Sequence, residues 1–224
     1  MQISSPRIVH FLFDSRFEPF LVVGGLYLFT SLYYTRYPPL QILSFVILLV
    51  MAFYWGLVFR RNRWGWKDFK LTKDKWLRHT LIAAALAIFG WGYFSLYNYL
   101  TRGEWIPLGF GGSYPALFAI ISVAIAEEVF FRGYLQNRLA AHHPRWRRVL
   151  LAVVALALFK NVVHMWEGLP IGLHLELFFL GVLHNILASY WMEWSDSLVG
   201  PLLLHVFWDL LVYAPLSAIP YWVI

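Results

Sequence analysis

Two short runs of the sequence place ionisable residues at helical spacing inside stretches that are otherwise apolar. The first run reads Glu127-Glu128-Val-Phe-Phe-Arg132, and the second reads His205-Val-Phe-Trp-Asp209. Residues four apart share one face of a helix, so Glu128 can pair with Arg132 and His205 can meet Asp209. Glu127 points about 100° away from Glu128 and has no such partner in its own helix. The spacing therefore predicts one paired glutamate and one glutamate that is available for chemistry.

His164 is a third candidate, because it lies late in another apolar run. A buried carboxylate can accept a proton from water, and an imidazole can assist it or face a developing oxyanion. For His205 two arrangements are open: Asp209 either holds the tautomer of the ring or points with it towards a shared ligand. A structural interpretation, in which the motifs only hold helices together, is also open. Ten ionisable residues fall within the apolar runs, at a cost of ~2.5–3.5 kcal/mol for each charged group, and such residues usually mark function. They are Glu18, Glu127, Glu128, Arg132, Lys160, His164, Glu176, His184, His205 and Asp209.

The elements that must position these residues are membrane helices. Of the 224 residues, 60% are hydrophobic and 13% are charged, and the mean hydropathy is +0.61, whereas a soluble domain is roughly half apolar and about a quarter charged. We expect an all-α, polytopic helix bundle that forms one integral-membrane domain over residues 1–224. The first helix is expected to be retained, since no small-residue cleavage site follows it. Seven runs are long enough to span, and the apolar tail 214–224 leaves seven or eight spans open. The runs are Phe17–Tyr34, Leu40–Phe59, Thr80–Leu100, Tyr114–Leu135, Val149–Met165, His174–Met192 and Leu198–Tyr213.

The basic residues predict how the bundle is oriented. With the N-terminus in the cytoplasm and alternating helices, 14 Lys and Arg residues lie inside and two, Arg36 and Arg102, lie outside. This asymmetry follows the positive-inside rule and predicts a multi-pass protein with a cytoplasmic N-terminus. The basic loops also account for the pI of 9.6, so no nucleic-acid partner is expected. The Trp-containing segment Arg60–Arg78 is either an interfacial helix on anionic headgroups or a loop that sets the topology.

Taken together, the motifs resemble those of the CAAX-protease and bacteriocin-processing family of intramembrane glutamic endopeptidases. The resemblance covers about residues 114–213. It rests on Glu127-Glu128-Val-Phe-Phe-Arg132-Gly133, on a histidine in the next helix, and on His205-x-x-x-Asp209. It implies a catalytic set in which one glutamate and one histidine activate water, a supporting ion pair, and a third-motif pair that stabilises the oxyanion. In this order the residues are Glu127 and His164, Glu128 and Arg132, and His205 and Asp209.

The sequence departs from the family pattern in the second motif. That motif normally reads Phe-x-x-x-His, but here Phe159 lies five residues before His164, and Lys160 takes the aromatic position. Further along, Asn185 stands where a second small residue is usual. His164 also reaches the depth of Glu127 only if its helix starts well inside the cytoplasm, near Pro144.

The resemblance implies a hydrolase that cleaves a membrane-associated peptide or protein near a terminus, without a cofactor. The substrate of such an enzyme can be lipidated or carry a transmembrane tail, and the short chain suits a prokaryotic member in the cytoplasmic membrane. An alternative enzyme would hold zinc with Glu127, His164 and His205. A non-catalytic scaffold or immunity protein is the other alternative. Cysteine is absent, which excludes a thiolate site, and neither a serine nucleophile elbow nor a His-Glu-x-x-His run occurs.

Overall fold

All regular structure in the described part of the chain is helical. The computed structural model describes residues 14, 16–33, 37–71, 75–105, 114–167 and 171–213, and the all-α prediction is confirmed over these residues. Seven main helices follow one another along them. They are α1 (Glu18–Tyr33), α2 (Pro38–Asn62), α3 (Trp76–Arg102), α4 (Tyr114–Glu127), α5 (Arg145–Glu167), α6 (Ile171–Ser195) and α7 (Val199–Trp208).

Each of the seven apolar runs falls on one of these helices. Among the described residues, α2 and α3 are long and apolar enough to cross a membrane by themselves, and α1 and α7 are shorter apolar helices. Several large apolar side chains on α2 point outwards, with Ile42, Leu49 and Phe53 each about 70% exposed. Such a surface suits hydrocarbon rather than water. The total of seven or eight spans stays a prediction, since the tail 214–224 lies outside the described residues.

Two helices end in π-helical segments. The helix α4 runs directly into a π-helical stretch, Glu128–Gln136, and then into a last turn, Asn137–Leu139. The helix α7 runs in the same way into a second stretch, Asp209–Tyr213. Such segments are rare and are frequent at functional sites. Both stretches begin at an acidic residue of a motif. The sequence pattern did not predict these π-helical stretches.

Small residues bring α3 close to α7. Ala83 and Ala87 are completely buried one turn apart, and Gly90 continues their face of the helix. They pack in a cluster with Leu204 of α7 and with α6. In membranes, small residues at this spacing let helix backbones approach closely. This packing sets the position of α7, which carries the second motif.

The segments that the charge count places on one side of the membrane lie together. Lys70 pairs with Asp196 at 2.7 Å, and the carbonyl of Lys70 accepts a hydrogen bond from the amide of Leu198. Between α2 and α3, the described part of Arg60–Arg78 forms a four-residue 3-10 helix, Trp66–Phe69, and no longer helix. Phe69 is buried in the core and anchors this segment, so the segment is a loop.

Candidate active site

The two motifs meet inside the bundle, and two further helices complete the cluster. The end of α4 with its π-helical stretch, the middle of α5, the middle of α6 and the end of α7 each contribute polar side chains. Close packing among these helices fixes their relative depth. The side chains are Glu127, Glu128 and Arg132, then Lys160, then His184 and Asn185, and finally His205 and Asp209.

The innermost part of the cluster is an ion pair between Glu128 and Arg132. The pair that the spacing predicts is present, and both side chains are almost completely buried, at 0% and 1% exposed. The other terminal nitrogen of Arg132 donates to the side-chain oxygen of Asn185 on α6. This contact explains the departure at position 185, since an amide oxygen there accepts a hydrogen bond that a small apolar residue could not accept.

His205 joins this ion pair to the rest of the cluster. Its Nδ1 lies 2.7 Å from Oε1 of Glu128. Because a carboxylate only accepts hydrogen bonds, the contact places a proton on Nδ1. The other ring nitrogen, Nε2, faces Asp209 Oδ2 at 3.4 Å and Glu127 Oε2 at 3.6 Å. Of the two arrangements left open for His205, the geometry matches the second, in which it points with Asp209 towards a common centre.

Glu127 is opposed by a lysine from another helix. Lys160 Nζ lies 3.0 Å from Glu127 Oε2 and 3.5 Å from Nε2 of His205. The ammonium group of Lys160 therefore lies between the carboxylate of Glu127 and the imidazole of His205. Sequence reasoning noted Lys160 among the buried ionisable residues but assigned it no partner. The signal was available, because a lysine within an apolar run needs a carboxylate or an equivalent partner.

The predicted contribution of His164 lies outside the described residues, because nothing of its side chain is described. Its backbone is part of α5, which begins at Arg145 directly after Pro144, as the depth argument required. Lys160 precedes His164 by four residues in α5, about 6 Å along the helix axis. At the level of Glu127, α5 therefore presents Lys160.

His184 is a further residue that sequence reasoning did not place in the site. Its ring lies 5.0 Å from the ring of His205 and stacks on Trp208 at 5.4 Å between centroids. Trp208 holds the ring of His184, and that ring packs against the side of His205 that faces α6. The only indication of this in the sequence was the cost of placing a histidine within an apolar helix.

Several buried polar atoms around this centre make no hydrogen bond among the described residues. They include Asp209 Oδ1 and His184 Nε2, and Glu127 Oε2, which contacts Lys160 but off the line of a hydrogen bond. Buried polar groups in proteins are normally satisfied, and such exceptions are frequent where a reacting group binds. No group of three or more metal-ligating side chains has a metal-binding arrangement in the described part of the chain.

These features define a class, that of helical membrane proteins with a buried cluster of carboxylates, imidazoles and cations. The family model described as "Type II CAAX prenyl endopeptidase Rce1-like" matches residues 109–211. This match agrees with the family resemblance drawn from the motifs, which is thereby confirmed. The matched stretch contains all the candidate site residues, and the family that it matches is one of integral-membrane proteases. No curated protein and no solved structure shows significant similarity to the chain.

Proposed function

We propose that the chain is an intramembrane endopeptidase in which Glu127 activates the water that attacks a peptide bond. The observation that carries this proposal is the environment of Glu127. It is the acid of the Glu-Glu pair that has no partner in its own helix, and it faces Lys160 and His205 from two other helices. Glu128 has a different task, because Arg132 and His205 already occupy it.

Glu127 would act as the general base. Its carboxylate lies 3.0 Å from the ammonium group of Lys160, and in its ionised form it can take a proton from water. His205 cannot easily take this role through Nδ1, since that nitrogen faces Glu128 at 2.7 Å. In this scheme Lys160 supports Glu127, the role that the family resemblance gives to His164.

The oxyanion would form among Lys160, His205 and Asp209. The cluster holds three carboxylates and two permanent cations, so one further proton on His205 or Asp209 makes it neutral. A neutral cluster is favoured where water is scarce. With that proton in place, Lys160 and the protonated His205 or Asp209 can both donate hydrogen bonds to the developing negative charge.

We propose that the reaction needs no metal ion. The alternative zinc site would use Glu127, His164 and His205. Lys160, however, puts a positive charge within 3.0 Å of the first ligand and 3.5 Å of the third. A divalent cation between these two ligands would be repelled by that ammonium group.

Removal of metal should therefore leave the enzyme active. We expect purified protein that has been dialysed against a strong chelator to keep both its turnover and its melting temperature. A matched sample with added zinc serves as the control. Loss of turnover that stoichiometric zinc restores would contradict the metal-free mechanism.

The proposed substrate is a peptide or protein held at the membrane and cut near a terminus. The matched family is named for prenylated substrates, and we extend to this chain only the class of a membrane-associated, lipid-bearing or membrane-tailed polypeptide. The basic loops favour a membrane orientation with the N-terminus in the cytoplasm.

The function can be tested by comparing new protein termini. Membranes that contain the wild-type chain or the Glu127→Gln variant would be incubated, and the termini of their proteins sequenced by mass spectrometry. We expect a set of new termini with the wild-type chain and none of them with the variant. Identical termini in both samples, with both proteins folded, would favour a non-catalytic scaffold or immunity protein instead.

A further inference from the structure

A second polar cavity lies at the charged end of the bundle, between the start of α3 and the end of α6. Its volume is about 260 Å³. It is separate from the cluster around Glu127. Its wall touches α7 near Gly200, and His205 lies five residues further along α7, a rise of about 7.5 Å along the helix axis. We call it the basic cavity. It is lined by Lys75, Arg78, His79, Ile82, Trp191, Trp194 and Ser195.

The ionisable groups of the basic cavity are all cationic or neutral. Lys75 and Arg78 are exposed at its mouth, and the guanidinium of Arg78 lies over the ring of Trp194, 5.7 Å from its centroid. Among the described residues, the two acidic side chains next to the lining residues Trp194 and Ser195 in the chain are engaged elsewhere. Glu193 pairs with Arg148, and Asp196 pairs with Lys70. The cavity therefore presents positive charge that these carboxylates do not neutralise.

His79 lines the basic cavity, and one of its ring nitrogens, Nδ1, is buried without a hydrogen-bond partner among the described residues. The side chain is only 6% exposed. Gly200 leaves room beside it, since a Cβ at that position would lie 2.9 Å from Nδ1. A ring nitrogen that is buried without a partner is costly, and an acceptor oxygen that reached Nδ1 of His79 would remove that cost.

The surroundings of the basic cavity identify the source of such a ligand. Trp194 is 71% exposed, and Leu77 and Leu81 on α3 also present large apolar surfaces next to the cavity. Because α3 is long and apolar enough to cross a membrane, we expect these side chains in the hydrocarbon or at its border. Tryptophan favours that border, and basic pockets between helices on the cytoplasmic side bind anionic headgroups.

We propose that the basic cavity binds the phosphate headgroup of an anionic phospholipid. Arg78 and Lys75 would donate charge-assisted hydrogen bonds to the phosphate oxygens, and the fork of the guanidinium suits them. The free N–H groups in the first turn of α3 add to the positive potential. His79 would donate through Nδ1. The acyl chains would lie along the apolar surface beside Leu77 and Leu81. Lipid binding here does not depend on peptidase activity.

The experiment compares headgroups on the full-length wild-type chain in detergent. Native mass spectrometry would count bound phosphatidylglycerol and phosphatidylcholine with the same acyl chains. We expect a preference for phosphatidylglycerol that Arg78→Gln weakens about fivefold, the effect of roughly one basic residue at an anionic surface. Lys75→Gln at the mouth should act in the same direction.

Arg147 provides a matched control at the same end of the bundle. Its guanidinium also lies over a tryptophan ring, 5.0 Å from the centroid of Trp146, but it does not line the basic cavity. We expect Arg147→Gln to keep the headgroup preference. Equal losses in Arg78→Gln and Arg147→Gln would indicate general surface attraction and overturn the site.

The role of His79 and the source of the phosphate are tested by two separate experiments. His79→Phe should reduce the preference without a change in melting temperature, and His79→Gln, which keeps a donor, should retain it. Competition by free inorganic phosphate, at concentrations similar to those of the lipid, would overturn the assignment to a lipid headgroup. So would equal binding of the two lipids by the wild-type chain.

Discussion

Glu127 and Glu128 are neighbours in the chain and chemically identical, but they meet different partners. Glu128 contacts Arg132 from its own helix and Nδ1 of His205 from α7. Glu127 contacts Lys160 and the side of His205 that carries Nε2. The carboxylate of Glu128 is held by these structural contacts, whereas the carboxylate of Glu127 faces the centre where we expect the reaction.

Glu127→Gln should abolish turnover and leave the fold intact. Glutamine keeps the volume and removes only the ionisable group, so the general-base contribution of about 10²–10⁴-fold is lost. Melting temperature in detergent and a cleavage assay measure the two effects. If Glu128→Gln instead removes activity without loss of stability, while Glu127→Gln stays active, the two roles are exchanged.

Arg132→Ala should act on stability. The change leaves Glu128 and Asn185 without their shared partner, and breaking a buried ion pair costs roughly 3–5 kcal/mol. We expect a lower yield and a lower melting temperature. The double variant Glu128→Gln with Arg132→Gln should recover part of that loss, because neither charge is then left alone. No recovery in the double variant would mean that contacts outside this ion pair dominate.

Lys160→Met should lower turnover about 10²–10³-fold, the loss typical when one donor to a developing oxyanion is removed. Methionine fills the same space but cannot oppose Glu127 or donate to the reacting group. Lys160→His should recover part of the turnover, since it supplies the imidazole that the family resemblance places opposite the glutamate. Lys67→Met, at an exposed position, is the control. Full activity of Lys160→Met would limit Lys160 to charge compensation.

At the scale of elements, the close approach of α3 and α7 fixes the position of Trp208. Gly90 on α3 lies against one side of this ring, and His184 stacks on it at 5.4 Å. Trp208 precedes Asp209 directly, at the point where α7 changes into its π-helical stretch. The packing of a glycine against an indole therefore helps to place a carboxylate of the site.

Gly90→Ala should lower both stability and activity. A Cβ there would lie 2.9 Å from Cη2 of Trp208 and closer still to Cζ3, so the ring must move. Overpacking of this kind costs about 1–3 kcal/mol. Gly92→Ala is the matched control on the same helix, since its Cβ would meet nothing within 4 Å, and it should gain up to about 1 kcal/mol from helix propensity. Equal melting temperatures for the two variants would contradict the packing argument.

At the scale of the whole molecule, the basic segments gather at one end of the bundle. Lys70 contacts Asp196, and Asn137 donates to the carbonyl of Asp68 at 2.7 Å, so three loops that the charge count places inside do meet. This arrangement is what alternating membrane spans require. The absolute orientation rests on the asymmetry of Lys and Arg.

Cysteines introduced at Lys67 and Glu104 should label from opposite sides of the membrane. Both positions are exposed, and they lie before and after α3. In intact cells, an impermeant thiol reagent should label Glu104→Cys only, because Lys67 is expected in the cytoplasm. The native chain has no cysteine, so the background is low. Labelling of Lys67→Cys in intact cells would contradict the predicted orientation.

The sequence by itself determined the helices, the Glu128–Arg132 pair and the shared face of His205 and Asp209. These features follow from apolar run length and from spacing within one helix, and both are local properties. The family resemblance rests on the same local motifs. The tertiary structure alone decided that Lys160 faces Glu127, that Glu128 takes Nδ1 of His205, and that Asn185 completes the inner ion pair. These contacts join different helices, and they depend on the relative depth and rotation of those helices, which packing sets and spacing along one chain does not encode.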